Sequence, residues 1–265
     1  MNSLGEQEPV LVAIVEALQR HNVDFRVIGA LVPELLLEQP PRQRTLDVDI
    51  VLLVDTLDEY DQIKAGLFAE GFKPSVVSHR ITWNDRNIDL LPYGPGIVQE
   101  NVLLLHDTQL SVIGFEHLST SGETIRLNDQ VHVNLAPVPL YTLLKLSAYN
   151  DRSMIKDVAG IFHCLKAYAV NDDRVWGLEH EGELLDVNHA AAYLLGKDTR
   201  QFLTKKYRNK LQPVLQSLLS IQATSFIELA REEQDEDIEI TLEDIRQRFY
   251  WYGVGMGWDD LRLDT

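Results

Sequence analysis

Asp47 and Asp49 stand two residues apart in the otherwise apolar run Leu46 to Val54, Leu-Asp-Val-Asp-Ile-Val-Leu-Leu-Val. In a strand, period-two alternation puts both carboxylates on one face, about 6–7 Å apart along the chain. Two adjacent anions in an apolar setting repel and resist ionisation unless cations compensate them. Hard divalent ions take oxygen ligands, and bridging carboxylates can hold a pair of ions about 3.5–4 Å apart. The pair is therefore a metal-site candidate. On a half-exposed sheet the same acids would simply face solvent while Leu46, Val48 and Ile50 face the core, so the surroundings must decide.

Three features of the surroundings favour a site. Gly29 ends one apolar run and opens a helical one, where backbone N–H groups can approach a phosphate with no side chain in the way. Arg42, Arg44 and Thr45 place two cations and a hydroxyl just before the acids. Asp89, flanked by Ile88 and Leu90, is a third lone acid in an apolar strand and could lie beside the first two on a neighbouring strand.

The elements that must position these groups follow from periodicity. Val10, Leu11, Ile14, Val15 and Leu18 recur at helical spacing, so Pro9 to Arg20 reads as an amphipathic helix. Phe25 to Ile28 reads as a strand, Ala30 to Glu38 as a helix, Leu46 to Val54 as a strand, and Leu57 to Glu70 as a helix closed by Gly71. Further strands are expected over Phe72 to Val77, Arg80 to Trp83, Asn87 to Pro92, Thr124 to Leu127 and Val131 to Asn134. Beyond Pro137 to Pro139 the pattern turns helical, over Tyr141 to Tyr149, Met154 to Tyr168, Leu184 to Leu195, Leu211 to Leu229 and Thr241 to Tyr252. The fold class expected is α+β: a mixed sheet followed by an α-helical region, with a boundary near residue 137.

Val27-Ile28-Gly29-Ala30 followed by Arg44-Thr45-Leu46-Asp47-Val48-Asp49 resembles the signature of the DNA polymerase β-like nucleotidyltransferase superfamily. More narrowly, Leu144 to Arg152 and then Lys156-Asp157 look like the second half of its AbiEii/AbiGii branch, which contains toxins of type IV toxin–antitoxin systems. The likeness spans roughly residues 10 to 168 and departs at two points, Ala30 and Gly160, where the family usually has Gly or Ser and often has Asp.

The resemblance implies a nucleotidyltransferase catalytic domain over 1–137 and a helical domain over 138–265. It also implies Mg²⁺, with Mn²⁺ as an alternative, and an NTP such as ATP as substrate. Asp47, Asp49 and Asp89 would be both catalytic residues and metal ligands, with Asp89 helping to deprotonate the attacking hydroxyl. Gly29, Ala30, Arg44, Thr45, Lys145, Arg152 and Lys156 would bind the nucleotide. Lys145 lies among Leu143, Leu144 and Leu146, so its ammonium would either reach a triphosphate or snorkel to solvent. Arg152 and Lys156, four apart, would share a face of a continuous helix and bind phosphate or pair with acids.

Charge limits the acceptor. Among 265 residues, 24 Lys plus Arg stand against 41 Asp plus Glu, a net charge of −17, which disfavours a broad basic nucleic-acid face. Lys197 to Lys210 nevertheless carries six cations against Asp198, a net of +5, and reads as a solvated helix face or a local nucleic-acid footprint. Glu228 to Asp244 carries nine acids and Arg231, a net of −8, and reads as a solvated linker or a contact for a basic partner. The acceptor hydroxyl could belong to an RNA end, a protein or a small molecule, and an antitoxin protein is a further partner the branch would imply. The alternative is a nucleotidyltransferase-fold module that binds a nucleotide or a partner protein without transfer.

A composition 45% hydrophobic and 25% charged is that of a globular protein. Cys164, the single cysteine, excludes an intrachain disulfide and a thiolate zinc cluster, and His163 beside it reads as an incidental core histidine. The N-terminus lacks early cations and has Glu16 within its apolar stretch, unlike a signal peptide, and no run of about 18 apolar residues could span a membrane. A cytoplasmic protein without membrane contact is expected. The stretch Phe249 to Trp258 alternates aromatics and glycines and must pack against something, with no chemistry suggested.

Overall fold

The computed structural model describes residues 7–41, 45, 47–105, 108–177, 185–220, 225 and 241–263. The chain divides into two compact units, Met1–Leu35 with Arg44–Pro137, and Leu36–Gln43 with Val138–Thr265. The architecture is α+β: a mixed sheet in the first unit, helices in the second.

In the first unit α1 (Glu8–Arg20) buries Val10, Leu11, Ile14, Val15 and Leu18, the stripe that its spacing requires. It is followed by β1 (Phe25–Ile28), the short α2 (Leu31–Leu36), β2 (Val48–Leu53) and α3 (Leu57–Ala69). Thr56 caps α3 by accepting from the Glu59 amide, and the Glu59 carboxylate accepts from the Asp55 amide in return. Tyr60 then reaches from α3 to donate to the Leu90 carbonyl, which holds the helix on the sheet.

The strands β3 (Lys73–Pro74), β4 (Arg80–Trp83), β5 (Arg86–Tyr93), β9 (Glu123–Arg126) and β10 (His132–Leu135) complete a seven-stranded sheet ordered β3-β4-β5-β2-β1-β10-β9. β2 lies inside it, antiparallel to β1 and parallel to β5. A separate three-stranded sheet, β6 (Val98–Gln99), β7 (Val102–Leu105) and β8 (Thr108–Ser111), sits on the excursion between β5 and β9.

Several limits differ from those expected. The strand expected from Leu46 starts at Val48, with Asp47 in a bend before it and Leu46 outside the described residues. The strand expected over Phe72 to Val77 shrinks to Lys73–Pro74, because the chain from Ser75 to His79 bends and turns back toward β4. The helix expected over Leu211 to Leu229 begins at Lys205, where Thr204 caps it, and runs to Leu219; residues 221–224 and 226–230 lie outside the described ones.

The second unit contains α4 (Val138–Arg152), α5 (Ile155–Ala167), α6 (Asp173–Gly177), α7 (Val187–Thr199), α8 (Lys205–Leu219) and α9 (Leu242–Gly255). His163 has a role the sequence reading missed. Its Nε2 lies 2.9 Å from the Gln39 carbonyl, and Asn171 donates to Glu38, so both tie the Leu36–Gln43 stretch to these helices. Cys164 is fully buried, as expected of a core cysteine.

The aromatic and glycine-rich stretch supplies the second half of α9, and its glycines permit close helix packing. A Cβ built on Gly196 of α7 would lie 2.2 Å from the Tyr252 carbonyl oxygen, and one on Gly255 would lie 2.2 Å from that of Tyr193. Alanine gains up to about 1 kcal/mol over glycine in a helix interior, whereas overpacking costs about 1–3 kcal/mol. The obstacle here is backbone, so the clash dominates. Gly196→Ala should lower the urea midpoint of the protein, while Gly177→Ala, which meets nothing within 4 Å, should not; equal midpoints would refute the close approach. Among the described residues no helix is long and apolar enough to cross a membrane.

Candidate active site

The expected juxtaposition of acids is produced by strand register. In the parallel ladder of β2 and β5, Asp49 is the partner of Asp89; in the antiparallel ladder of β1 and β2, Asp49 faces Ile28, next to Gly29. Val48 and Ile50 are fully buried, so the alternation turns the Asp49 side chain to the opposite face, and Asp47 lies one alternation earlier. Asp89 therefore lies beside the first two acids on a neighbouring strand, as its position in the sequence suggested.

A fourth strand adds a residue that sequence reasoning overlooked. β4 and β5 form a hairpin whose two-residue loop, Asn84-Asp85, has both residues at positive φ, the geometry that suits the twist of a tight antiparallel pair. Trp83 pairs with Arg86, and three residues further along each strand Arg80 pairs with Asp89. The row across the sheet is thus Arg80, Asp89, Asp49, Ile28. The Arg80 guanidinium binds Asp89 with two hydrogen bonds, Nε to Oδ1 at 2.6 Å and Nη2 to Oδ2 at 2.9 Å, and Nη2 stands 4.0 Å from Asp47 Oδ2. The hydrogen bonds to Asp89 raise the Arg80 pKa further above its ordinary value, so the cation is permanent.

Asn87, also missed, donates from Nδ2 to Asp47 Oδ1 at 3.1 Å. Both residues were legible in principle: an Asn-Asp two-residue turn fixes the pairing, and counting outward places Arg80 opposite Asp89.

Gly29 adopts φ +73°, and a Cβ there would fall 1.9 Å from Asp49 Oδ2. The chain thus brings bare backbone against the carboxylate, where any side chain would displace it. Ala30 follows in the turn that leads into α2. Thr45 is used locally: its hydroxyl donates to the Asp47 carbonyl at 3.1 Å and lies 3.3 Å from the Asp47 amide, which fixes the bend carrying Asp47. Arg42 and Arg44 lie outside the described residues.

The donor chemistry of Asp47, Asp49 and Asp89 suits a hard divalent cation, since all three offer anionic oxygen, and the Arg80 guanidinium faces Asp89 and Asp47. As arranged, both Asp89 oxygens face the guanidinium, and among the described residues no three acidic, His or Cys groups form a ready metal cluster. Arg80 stands as a tethered counter-ion on the face where a metal would be bound.

The expected cations of the second unit converge on a different acid. Asp157, fully buried, accepts from Lys145 Nζ at 3.0 Å and from Arg152 Nε and Nη2 at 2.7 and 2.6 Å. Burial alone would raise its pKa, but the Arg152 hydrogen bonds and the Lys145 charge more than reverse this and hold it below the ordinary carboxylate value. Lys145 thus neither snorkels freely nor stands alone. Arg152 and Lys156 do not share a helix face, a correction to the expectation: Ser153 takes φ 51° and separates α4 from α5, leaving Lys156 exposed on the second helix. At Gly160 a Cβ would sit 2.4 Å from the Tyr141 hydroxyl, so a side chain there would have to displace Tyr141.

No family model matches the chain, and no curated protein matches it. Among solved structures, the chain aligns with the CdnE cyclic dinucleotide synthase of Elizabethkingia meningoseptica, a structure with GTP and Apcpp. The alignment has 14% identity and a TM-score of 0.28, and it covers 94% of this chain and 92% of that one.

Proposed function

We propose that the protein is a Mg²⁺-dependent nucleotidyltransferase, moving a nucleoside monophosphate from an NTP to an acceptor hydroxyl with release of pyrophosphate. The observation that carries this reading is the row formed by Asp89, Asp49 and the bare backbone of Gly29, with Asp47 beside it. Asp47, Asp49 and Asp89 would hold the divalent ions, which when bound would neutralise triphosphate charge and favour the ionised acceptor. The side-chain-free approach at Gly29 would leave its backbone amide and that of Ala30 open to phosphate oxygens. Asp89, once released by Arg80, would accept the acceptor proton on a carboxylate oxygen. Arg80, still anchored on β4, would then be a cation free to meet phosphate.

Arg80 also favours a second reading. With both Asp89 oxygens occupied by the guanidinium, the fold could bind an NTP without transferring it. Incubation of the protein with each labelled NTP, Mg²⁺ or Mn²⁺, and total cell extract separates the two. Label on a discrete RNA, protein or metabolite is expected and names the acceptor class. An RNA acceptor would accord with the toxin role suggested by the resembled branch, with an antitoxin as partner. Absence of label with all four NTPs and both metals would sink the transferase reading; nucleotide binding without label would establish the module.

A further inference from the structure

The +5 segment does not form a single helix face. It crosses from the end of α7 through a 3-10 turn, Arg200–Phe202, into α8, and there it lines a cavity of about 530 Å³. Arg200, Lys205 and Arg208 supply the charge, with Asn209 and Thr204 beside them and Leu203, Met256 and Trp258 as apolar lining. Cavities that take small organic ligands run from about 300 to 1,000 Å³, so the space suits a mononucleotide better than a bare ion.

The end of α9 builds the opposite wall. Gly257 N–H bonds to the Val254 carbonyl at 2.8 Å and Trp258 N–H to that of Gly253 at 3.0 Å, a helix-ending turn that needs the positive φ of Gly257. A Cβ on Gly257 would lie 3.3 Å from Arg200 Cζ, so the missing side chain lets the guanidinium lie against backbone. Arg208 is half neutralised by Asp260 at 3.1 Å, but Arg200 and Lys205 have no ion-pair partner among the described residues. In a chain of net charge −17, unpaired cations gathered round a cavity at the N-terminus of a 15-residue helix form a local anion site.

We infer that this cavity is a second ligand site, which takes a nucleotide phosphate through Arg200 and Lys205. The phosphate could belong to a free mononucleotide or to the 5′ end of an RNA. The inference stands without the transferase reading, because none of its residues belongs to the carboxylate site.

The test is titration calorimetry in EDTA with 5′-AMP, adenosine and a 5′-phosphorylated RNA dodecamer. AMP or the RNA should bind and adenosine should not. Arg200→Glu/Lys205→Glu should weaken binding at least tenfold. Lys73→Glu/Lys206→Glu, which makes the same charge change at exposed positions outside the lining, should weaken it less than threefold. Tighter binding of RNA than AMP, with strong salt dependence, names the polymer as source; equal binding names the mononucleotide. Asp47→Asn/Asp49→Asn should bind as wild type does, which separates this site from the first. Absence of AMP and RNA binding, adenosine binding equal to AMP, or indifference to the Arg200/Lys205 reversal would overturn the inference.

Discussion

The Asp47→Asn/Asp49→Asn variant is expected to lose label transfer by about three orders of magnitude or more while unfolding at a urea concentration no lower than wild type. The loss follows if metal-bound oxygen supplies several kcal/mol of transition-state stabilisation, since about 1.4 kcal/mol is a tenfold change in rate. The stability half follows from charge. Asp47 and Asp89 face the same guanidinium and Asp49 is the ladder partner of Asp89, so two substitutions that remove negative charge from this cluster relieve repulsion in the metal-free chain, and asparagine at 47 can still accept from Asn87. A fall in both activity and stability would indicate that the acids are structural. Undiminished transfer would sink the assignment.

Arg80→Gln should do the opposite to the metal-free chain. It removes the cation from Asp89, whose side chain is only 16% exposed, and charge-assisted hydrogen bonds of this kind contribute about 1.5–3 kcal/mol. Stability should fall. The same substitution frees both Asp89 oxygens, so Mn²⁺, titrated by calorimetry or electron paramagnetic resonance, should bind roughly tenfold more tightly, because about 1.4 kcal/mol corresponds to a factor of ten. Weaker or unchanged Mn²⁺ affinity would show that Arg80 does not compete with the metal.

These residues also show which parts of the site sequence could and could not reveal. Asp47, Asp49 and Asp89 were visible because a charge in an apolar strand is costly and calls for an explanation. Gly29 was visible because it interrupts an apolar run, although its reason, the near contact with the Asp49 carboxylate, arises only from the pairing of β1 with β2. Arg80 and Asn87 were passed over because polar side chains in strands are ordinary; only the register set by the tight Asn84-Asp85 turn aligns them with the acids. In the second unit the short α6 was not expected, whereas the longer helices were legible from periodicity. Their ends were not, because Ser153 and Thr204 act through backbone angle and hydroxyl geometry, to which hydrophobic spacing is blind.

Asp157 leads to the largest stability prediction. Its carboxylate is fully buried and receives three hydrogen bonds from Lys145 and Arg152, and Lys145 is itself only 17% exposed. Removing one partner of a buried pair leaves charge uncompensated and costs roughly 3–5 kcal/mol, whereas replacing the whole group by apolar residues is often neutral or better. Asp157→Asn should therefore be strongly destabilising at pH 7, and Lys145→Met/Arg152→Leu/Asp157→Leu should recover most of the loss. The variants are best followed by tryptophan fluorescence in a Trp83→Phe background, which leaves Trp176, Trp251 and Trp258, all in the helical unit. The pH dependence has a definite sign. Because the folded pKa of Asp157 lies below its ordinary value, the stability it contributes is present above that ordinary value and is lost as pH falls through the folded one. Asp244 behaves alike: burial alone would raise it, but His189 and Arg248 bring it down to about 2. Acidification from pH 6 to pH 3 should thus narrow the gap between wild type and Asp157→Asn, while the Asp244 contribution, common to both proteins, cancels from that gap. A gap unchanged across that range would mean that the carboxylate charge is not what holds α4 to α5.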